Sequence, residues 1–486
     1  MIAVVVQLAL TIPLSFILNI NQEDAYTLHS TAYGAAYALH EAIFFEQNAP
    51  LYFVAMALWR VLGQSHMVAS LFSVICAAIT VLMVPRLMDR YMPGVRRSWV
   101  LFAFALNPFV IAMAVEIRLY ALLMLLSALL LITFFDAFLA QRPSRRALAV
   151  YGALCAASLY TEYYMLFLIL AQGVLLCGLR YWEGLRRYVI TQVLVALAFL
   201  PMMIVIPWQM ANFRGSFTYP NSLLASIKIL AEIFLQYILP LTIVPHHKEL
   251  YAGIAISAIV GAYLLRRYRT DSGQLLIPAL FAAAFFIFAV AVYVGKMHVL
   301  YRHGALLLVP ALLTPFALLT CFREPARTRA VRAVGLTILA ASVLTLFLSY
   351  RHGAKPGDWR RVAAYLDRHV KQGQPILVFE PWEALPLDYY YRGSNEIVAI
   401  PRPIDFKGYD VDDLVLRNDA QIVAALARVP GDRRTLWLVT MTTSCQEWHL
   451  DYGCGVLESY VSRHYRTLER QPFYGSEVRL LVRRSS

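Results

Sequence analysis

Seven charged side chains stand inside or beside long apolar tracts, and their types suit a narrow range of chemistry. Glu23 and Asp24 are adjacent in "NQEDAY", Glu116 and Arg118 flank Ile117 in "AVEIRLYA", Glu162 lies among tyrosines in "LYTEYYML", and Lys296 and Arg302 fall within "GKMHVLYRHG". A carboxylate can take a proton from a hydroxyl, and an arginine can hold a phosphate through two N–H bonds and steady its charge as it departs. Together these groups suit an anionic headgroup and a hydroxyl nucleophile. Structural roles compete with that chemistry. Glu23 and Asp24 can solvate a helix end, Glu116 and Arg118 can pair at an interface, Arg302 and His303 can anchor a helix, and Glu162 can cap a turn.

The elements that carry these residues are membrane helices. The chain has 486 residues, of which 60% are hydrophobic and only 15% charged, and its mean hydropathy is +0.59. A soluble chain is nearer a quarter charged. At roughly 20 apolar residues per crossing, hydropathy places eleven spans near 1–20, 66–85, 98–115, 118–139, 147–161, 163–180, 188–208, 250–266, 275–295, 303–321 and 332–350. The first tract lacks a basic leader and a small-residue cleavage site, so it reads as a retained helix. An ionisable residue at membrane depth costs roughly 2.5–3.5 kcal/mol and persists where it faces a cavity or a partner.

The net charge of +13 points to membrane orientation and not to nucleic acid. Lys and Arg gather in alternate connections, 85–97, 141–146, 180–187, 266–269 and 322–332, while residues 21–59 contain none. Basic loops stay cytoplasmic. The N-terminus is then inside and residues 351–486 lie outside, as expected for a protein of the bacterial cytoplasmic membrane. Glu23, Asp24, Glu116, Glu162, Lys296 and Arg302 all fall on the outer side.

Residues 1–350 therefore read as a membrane domain whose long outward loop, 21–65, lies on the bilayer and roofs a cavity. Residues 26–45 are suited to one interfacial helix and 49–63 to a half-inserted one, with Tyr52 and Trp59 at headgroup level. Residues 351–486 read as an α/β domain, with helical spacing over 358–370 and β-prone runs at 375–380, 435–441 and 478–484. Cys445 and Cys454 share the oxidising side and can close a small loop. Neither zinc spacing nor an internal repeat occurs.

In chain order these stretches resemble the GT-C glycosyltransferases of the protein-mannosyltransferase and aminoarabinose-transferase type. The family's acidic pair appears as Glu23-Asp24, followed by Tyr26, and its proline motif as Asn48-Ala49-Pro50-Leu51-Tyr52. Its Glu-x-Arg-x-Tyr motif appears as Glu116, Arg118 and Tyr120. Its tyrosine turn appears as Tyr160-Thr161-Glu162-Tyr163, and its Arg-Tyr motif as Arg302-His303 before Pro310. Asp358-Trp359-Arg360 opens the soluble domain. The acidic pair is inverted, Asn48 and Glu162 replace histidines, and the proton acceptor is Glu23 by position or Asp24 by residue type.

The resemblance implies an all-α polytopic GT-C fold with a C-terminal α/β domain. It implies a hexosyl- or pentosyltransferase that takes a sugar from a polyprenyl phosphate and passes it, with inversion, to a hydroxyl of a glycolipid, glycan or protein. Arg118, Arg302 and Lys296 would hold the phosphate with Tyr120 and Glu116 beside them. Tyr26, Asn48, Tyr52, Glu162, Tyr163 and His303 would line the substrate. A divalent cation would suit the same hard oxygen ligands, and no nucleotide cofactor is expected. The alternatives are a transporter or flippase for a lipid-linked glycan, a ligase using a diphosphate-linked glycan, and a scaffold derived from such an enzyme.

Overall fold

The computed structural model describes residues 1–140, 144–212, 219–239, 275–297, 299–322, 325–408, 410–428, 434–442, 445–447 and 450–484. The apolar opening forms helix α1 (Ile2–Ile17), and the chain then turns through 86° into α2 (Gln22–Ser30). A capping box starts α2: the Asn21 side chain accepts from the Asp24 N–H, and the Asp24 carboxylate accepts from the Asn21 N–H. Such reciprocal bonds satisfy two donors that a helix start leaves open.

The loop over 21–65 continues as α3 (Ala35–Phe44) and α4 (Leu51–Trp59). Residues 26–45 thus form two helices and not the single one expected. The break falls at Gly34, whose φ of 89° suits glycine because it has no Cβ to clash.

Long apolar helices follow: α5 (His66–Tyr91), α6 (Arg97–Ala105), α7 (Pro108–Ala114) and α8 (Tyr120–Phe134). Next come α9 (Arg145–Leu159), α10 (Met165–Gly178), α11 (Trp182–Asn212) and α12 (Leu223–Ile238). The last three are α13 (Leu276–Val294), α14 (Ala305–Leu319) and α15 (Ala326–Tyr350).

The expected count of eleven spans is not reproduced. Among the described residues six helices are long and apolar enough to cross a bilayer, or eight if each bent pair is one span. The expected span 98–115 is the bent pair α6–α7, 49° apart, broken where Asn107 caps a helix that begins at Pro108. The expected spans 147–161 and 163–180 are α9 and α10, of 15 and 14 residues. At 1.5 Å per residue each is only about 22 Å long, short of a core of about 30 Å. The span at 250–266 lies outside the described residues. The chain is nonetheless a multi-pass membrane protein by its helices.

Beyond α15 come α16 (Trp359–His369) and a five-stranded sheet built from β1 (Ile376–Phe379), β2 (Ile397–Ala399), β3 (Thr435–Met441), β6 (Tyr465–Pro472) and β7 (Ser476–Arg483). The strand order is β2-β1-β3-β7-β6; β1 runs parallel to β2 and β3, whereas β7 runs antiparallel to β3 and β6. Side chains alternate across a strand. Ile376, Val378, Trp437 and Val439 accordingly pack on one face with Trp359, Val362 and Leu366 of α16. Leu377, Phe379, Leu436 and Leu438 pack on the other with α18 (Asp419–Ala427) and α19 (Cys454–His464). Between β1 and β2 runs α17 (Ala384–Tyr390). A short hairpin, β4 (Gln446–Glu447) with β5 (Leu450–Asp451), lies beside the Cys445–Cys454 disulfide, whose Cα atoms are 5.7 Å apart.

Candidate active site

Four helix ends and one turn converge at the start of α2. The Glu23 carboxylate lies between two guanidiniums: Arg118 Nη2 is 2.9 Å from one oxygen and Arg302 Nη2 is 2.7 Å from the other. Arg118 comes from the short connection between α7 and α8. Arg302 comes from the 3-10 turn Tyr301–Gly304 that opens α14. Within that turn the Leu300 N–H donates to His303 Nδ1, and the His303 ring meets Tyr164 edge-on at 5.4 Å. The Arg302 guanidinium lies over the Tyr120 ring, 5.8 Å from its centre.

Arg118 also donates through Nη1 to Glu46 Oε2 at 3.0 Å and to Thr27 Oγ1 at 3.1 Å. Glu46 accepts in turn from Ser30 Oγ. Both arginines are mostly enclosed, with side-chain exposures of 8% and 18%. Each nevertheless keeps a buried Nε–H that meets no acceptor among the described residues. A buried donor without an acceptor costs about 1–3 kcal/mol, and more when charged; Arg60 and Arg479 bury an Nε–H in the same way, so the distinguishing feature of Arg118 and Arg302 is that both guanidiniums meet at Glu23.

Asp24 is only 1% exposed, and its carboxylate is fully engaged. One oxygen accepts from the Ile117 N–H at 2.7 Å, and the other from the Asn21 N–H and from Lys355 Nζ at 2.7 Å. Glu116 contrasts with both acids of the pair. It is partly exposed, and among the described residues its carboxylate makes no hydrogen bond or ion pair. Burial pushes its carboxyl up to about 7; the Asp24 and Glu23 charges add to the rise, and Lys355 and Arg302 oppose it. A carboxylate wedged between two guanidiniums is by contrast a poor proton acceptor.

The remaining expected residues divide. Glu162 accepts from the Tyr164 N–H at 3.3 Å, and burial carries its carboxyl up to about 7. Tyr163 donates to Gln209 Oε1, which ties α11 to this turn. Asn48 Nδ2 donates to the Glu46 carbonyl and so braces the segment holding Glu46. Tyr26 packs edge-on against Phe45 at 5.5 Å and Phe406 at 6.5 Å. Three expectations are corrected. Tyr52 is fully buried within α4, its hydroxyl without a hydrogen bond among the described residues, and does not face the headgroups. Lys296 is exposed, in a left-handed turn with φ of 46°, and forms no ion pair among the described residues. Trp59 is turned inward, its indole N–H donating to the Val68 carbonyl at 2.7 Å.

Two members of the cluster escape sequence reasoning. Glu46 sits in "FFEQNAP", beside the proline motif, and Lys355 in "AKPGDW", three residues before Asp358. In both cases the nearby motif is the available signal. A divalent cation fits poorly here. The oxygens of Glu23, Asp24 and Glu46 are already occupied by cationic side chains, and among the described residues no three metal-ligating side chains converge. An open concavity of about 710 Å³ lies elsewhere, in the C-terminal domain along 417–420 and 455–463, and holds none of these residues.

No protein-family model matches the sequence, and no curated protein matches it. Solved structures do match in shape. ArnT from Cupriavidus metallidurans in the apo state aligns with a TM-score of 0.54 at 13% identity, over 98% of this chain and 97% of that one. The same protein bound to undecaprenyl phosphate aligns with a TM-score of 0.53 at 11% identity, over 98% and 97%. This chain has the GT-C fold. The archaeal oligosaccharyltransferase of Archaeoglobus fulgidus aligns less well, at a TM-score of 0.49 and 11% identity, over 90% of this chain and 68% of that one. The GT-C likeness to ArnT extends over the helices and the C-terminal sheet together, and at these identities it speaks to fold and not to activity.

Proposed function

We propose that this chain is a membrane glycosyltransferase. It moves a sugar from a polyprenyl-phosphate donor to a hydroxyl acceptor on the outer face of the bacterial cytoplasmic membrane. The observation that carries this reading is the convergence of two enclosed guanidiniums, Arg118 and Arg302, on the Glu23 carboxylate at one end of the helices. A lipid-linked phosphate beside these guanidiniums is held by charge-assisted bonds, each worth about twice a neutral one. ArnT, which shares the fold, has been solved with undecaprenyl phosphate bound.

The reaction follows from the positions. The donor phosphate sits against Arg118 and Arg302, with Tyr120 supporting Arg302 from below. Glu116 takes the proton of the acceptor hydroxyl. The hydroxyl oxygen forms its bond to the anomeric carbon as the carbon–oxygen bond to phosphate breaks, and that electron pair goes to the phosphate oxygen. Attack opposite the leaving group inverts the anomeric configuration. The two guanidiniums hold the charge that develops on the departing polyprenyl phosphate. In this reading the proton acceptor is Glu116 and not the Glu23–Asp24 pair. Glu23 aligns the arginines and Asp24 braces the backbone.

The acceptor is a glycolipid, a glycan or a protein. The placement of the charged groups at helix ends under the C-terminal domain favours an enzyme over a flippase, which needs such groups along a path through the bilayer.

The test uses purified full-length protein with synthetic undecaprenyl-phosphate sugars, hexosyl and pentosyl, and a mixed hydroxyl acceptor. Undecaprenyl phosphate should appear only when donor and acceptor are both present. Glu116→Gln should lower turnover by about 10² or more, the usual size of a general-base contribution, while donor binding is kept. Turnover by Glu116→Gln at the unaltered rate would overturn the assignment of the base. Release of no lipid phosphate from any donor would overturn the enzyme reading.

A further inference from the structure

We infer that Lys355 and Asp24 form a clamp on the backbone either side of Glu116, which makes the first segment of the C-terminal domain a positioning part of the active site. The inference rests on Glu116 as the proton acceptor. Lys355 Nζ donates to Asp24 Oδ2 at 2.7 Å and to the Val115 carbonyl at 3.3 Å. Asp24 Oδ1 accepts from the Ile117 N–H at 2.7 Å. One buried ion pair thus grips the peptide groups on both sides of Glu116 and leaves its carboxylate unbonded.

The lysine is itself fixed. Its backbone N–H donates to Asn19 Oδ1 at 2.9 Å, at the end of α1. The domain behind it is seated by Tyr390 Oη, which accepts from the Ile20 N–H at 3.0 Å, and by Arg360 Nη2, which is 2.7 Å from His66 Nε2. The charged and titratable groups that face Glu116 are Asp24 and Glu23 from α2, Tyr301 and Arg302 from the turn before α14, Tyr350 from the end of α15, and Lys355. Proton abstraction depends steeply on placement, because a displacement of about 1 Å can cost 10²-fold in rate. A clamp closed by the C-terminal domain means that the base is aligned only when that domain is docked.

The experiment compares the full chain with Lys355→Met, Asp24→Asn and Lys355→Arg by two readouts. Mass spectrometry follows carbodiimide labelling of Glu116 against pH, which needs no sugar; transfer is followed as undecaprenyl phosphate release. Loss of the lysine charge should move the labelling midpoint to higher pH, and loss of the aspartate charge should move it lower, each by about one pH unit. Opposite shifts from two partners do not arise from misfolding. Both variants should lose transfer by about tenfold or more, and Lys355→Arg should restore most of it. Binding of undecaprenyl phosphate by Lys355→Met should stay within about twofold, since the lysine does not hold the phosphate.

The inference is overturned if Lys355→Met and Asp24→Asn leave both the labelling profile and transfer unchanged. It is also overturned if Lys355→Met abolishes undecaprenyl phosphate binding, which would make the lysine a phosphate ligand. If the opposite labelling shifts appear but the unaltered protein transfers nothing, the clamp stands and the glycosyltransferase reading fails.

Discussion

The role of each acid follows from whether its oxygens are already satisfied. Glu23 and Asp24 spend their oxygens on Arg118, Arg302 and Lys355, whereas Glu116 has none committed. A base must be deprotonated to act, so transfer should rise with pH through about 7, the value to which burial lifts Glu116. Steady-state kcat/KM measured from pH 5 to 9 should show that limb, and Glu116→Gln should flatten it. Arg118→Lys keeps the charge but loses the planar fork that serves Glu23, Glu46 and Thr27 together. It should weaken undecaprenyl phosphate binding by about tenfold, because a lysine meets an anion as a point charge; flotation with lipid vesicles carrying the phosphate checks this. Glu23, Glu116, Arg118 and Arg302 are legible in the sequence because a charge inside an apolar tract stands out. Lys355 lies in a polar stretch and Glu46 at the end of the short apolar run Ala42–Phe45, and only the folded chain shows that they reach the same point. Lys296 misleads for the opposite reason: it lies close to Arg302 in sequence, yet its left-handed turn leaves it exposed.

At the scale of elements, the loop over residues 21–65 is held by the C-terminal domain as well as by the helices. Phe406, from the C-terminal domain, stacks on His29 with ring centres 3.5 Å apart and meets Phe45 at 4.8 Å. Aromatic pairs of this kind contribute about 0.5–1.5 kcal/mol each beyond the area they bury. Phe406→Ala should therefore raise hydrogen exchange in α2 and α3 by about tenfold or more, with little change in α13 or α14; exchange followed by mass spectrometry distinguishes these segments. Hydropathy locates the long helices well, since α5, α11, α13 and α15 lie close to the expected tracts. It misjudges α9 and α10, and it cannot see a bend. A run such as 98–115 is apolar throughout, and the Asn107-Pro108 cap that divides it is a local signal masked by its surroundings. The strands at 376–379, 435–441 and 476–483 are legible because alternate residues face two different cores.

At the scale of the whole molecule, the C-terminal domain sits over the helix ends that carry the charges, so the site and that domain must share one side of the membrane. In the proposed topology, read from the distribution of basic loops, that side is outside. An impermeant maleimide applied to intact cells should label Lys371→Cys in the C-terminal domain and leave Arg146→Cys unlabelled until the membrane is opened. The reverse pattern would invert the topology. Native mass spectrometry of the purified protein with undecaprenyl phosphate reads whether Arg118 and Arg302 together receive a lipid-linked phosphate. One lipid should bind per chain; Arg118→Met and Arg302→Met should each weaken binding by about tenfold or more, and Glu116→Gln should leave it unchanged. Equal binding by the unaltered protein and both arginine variants would contradict the account.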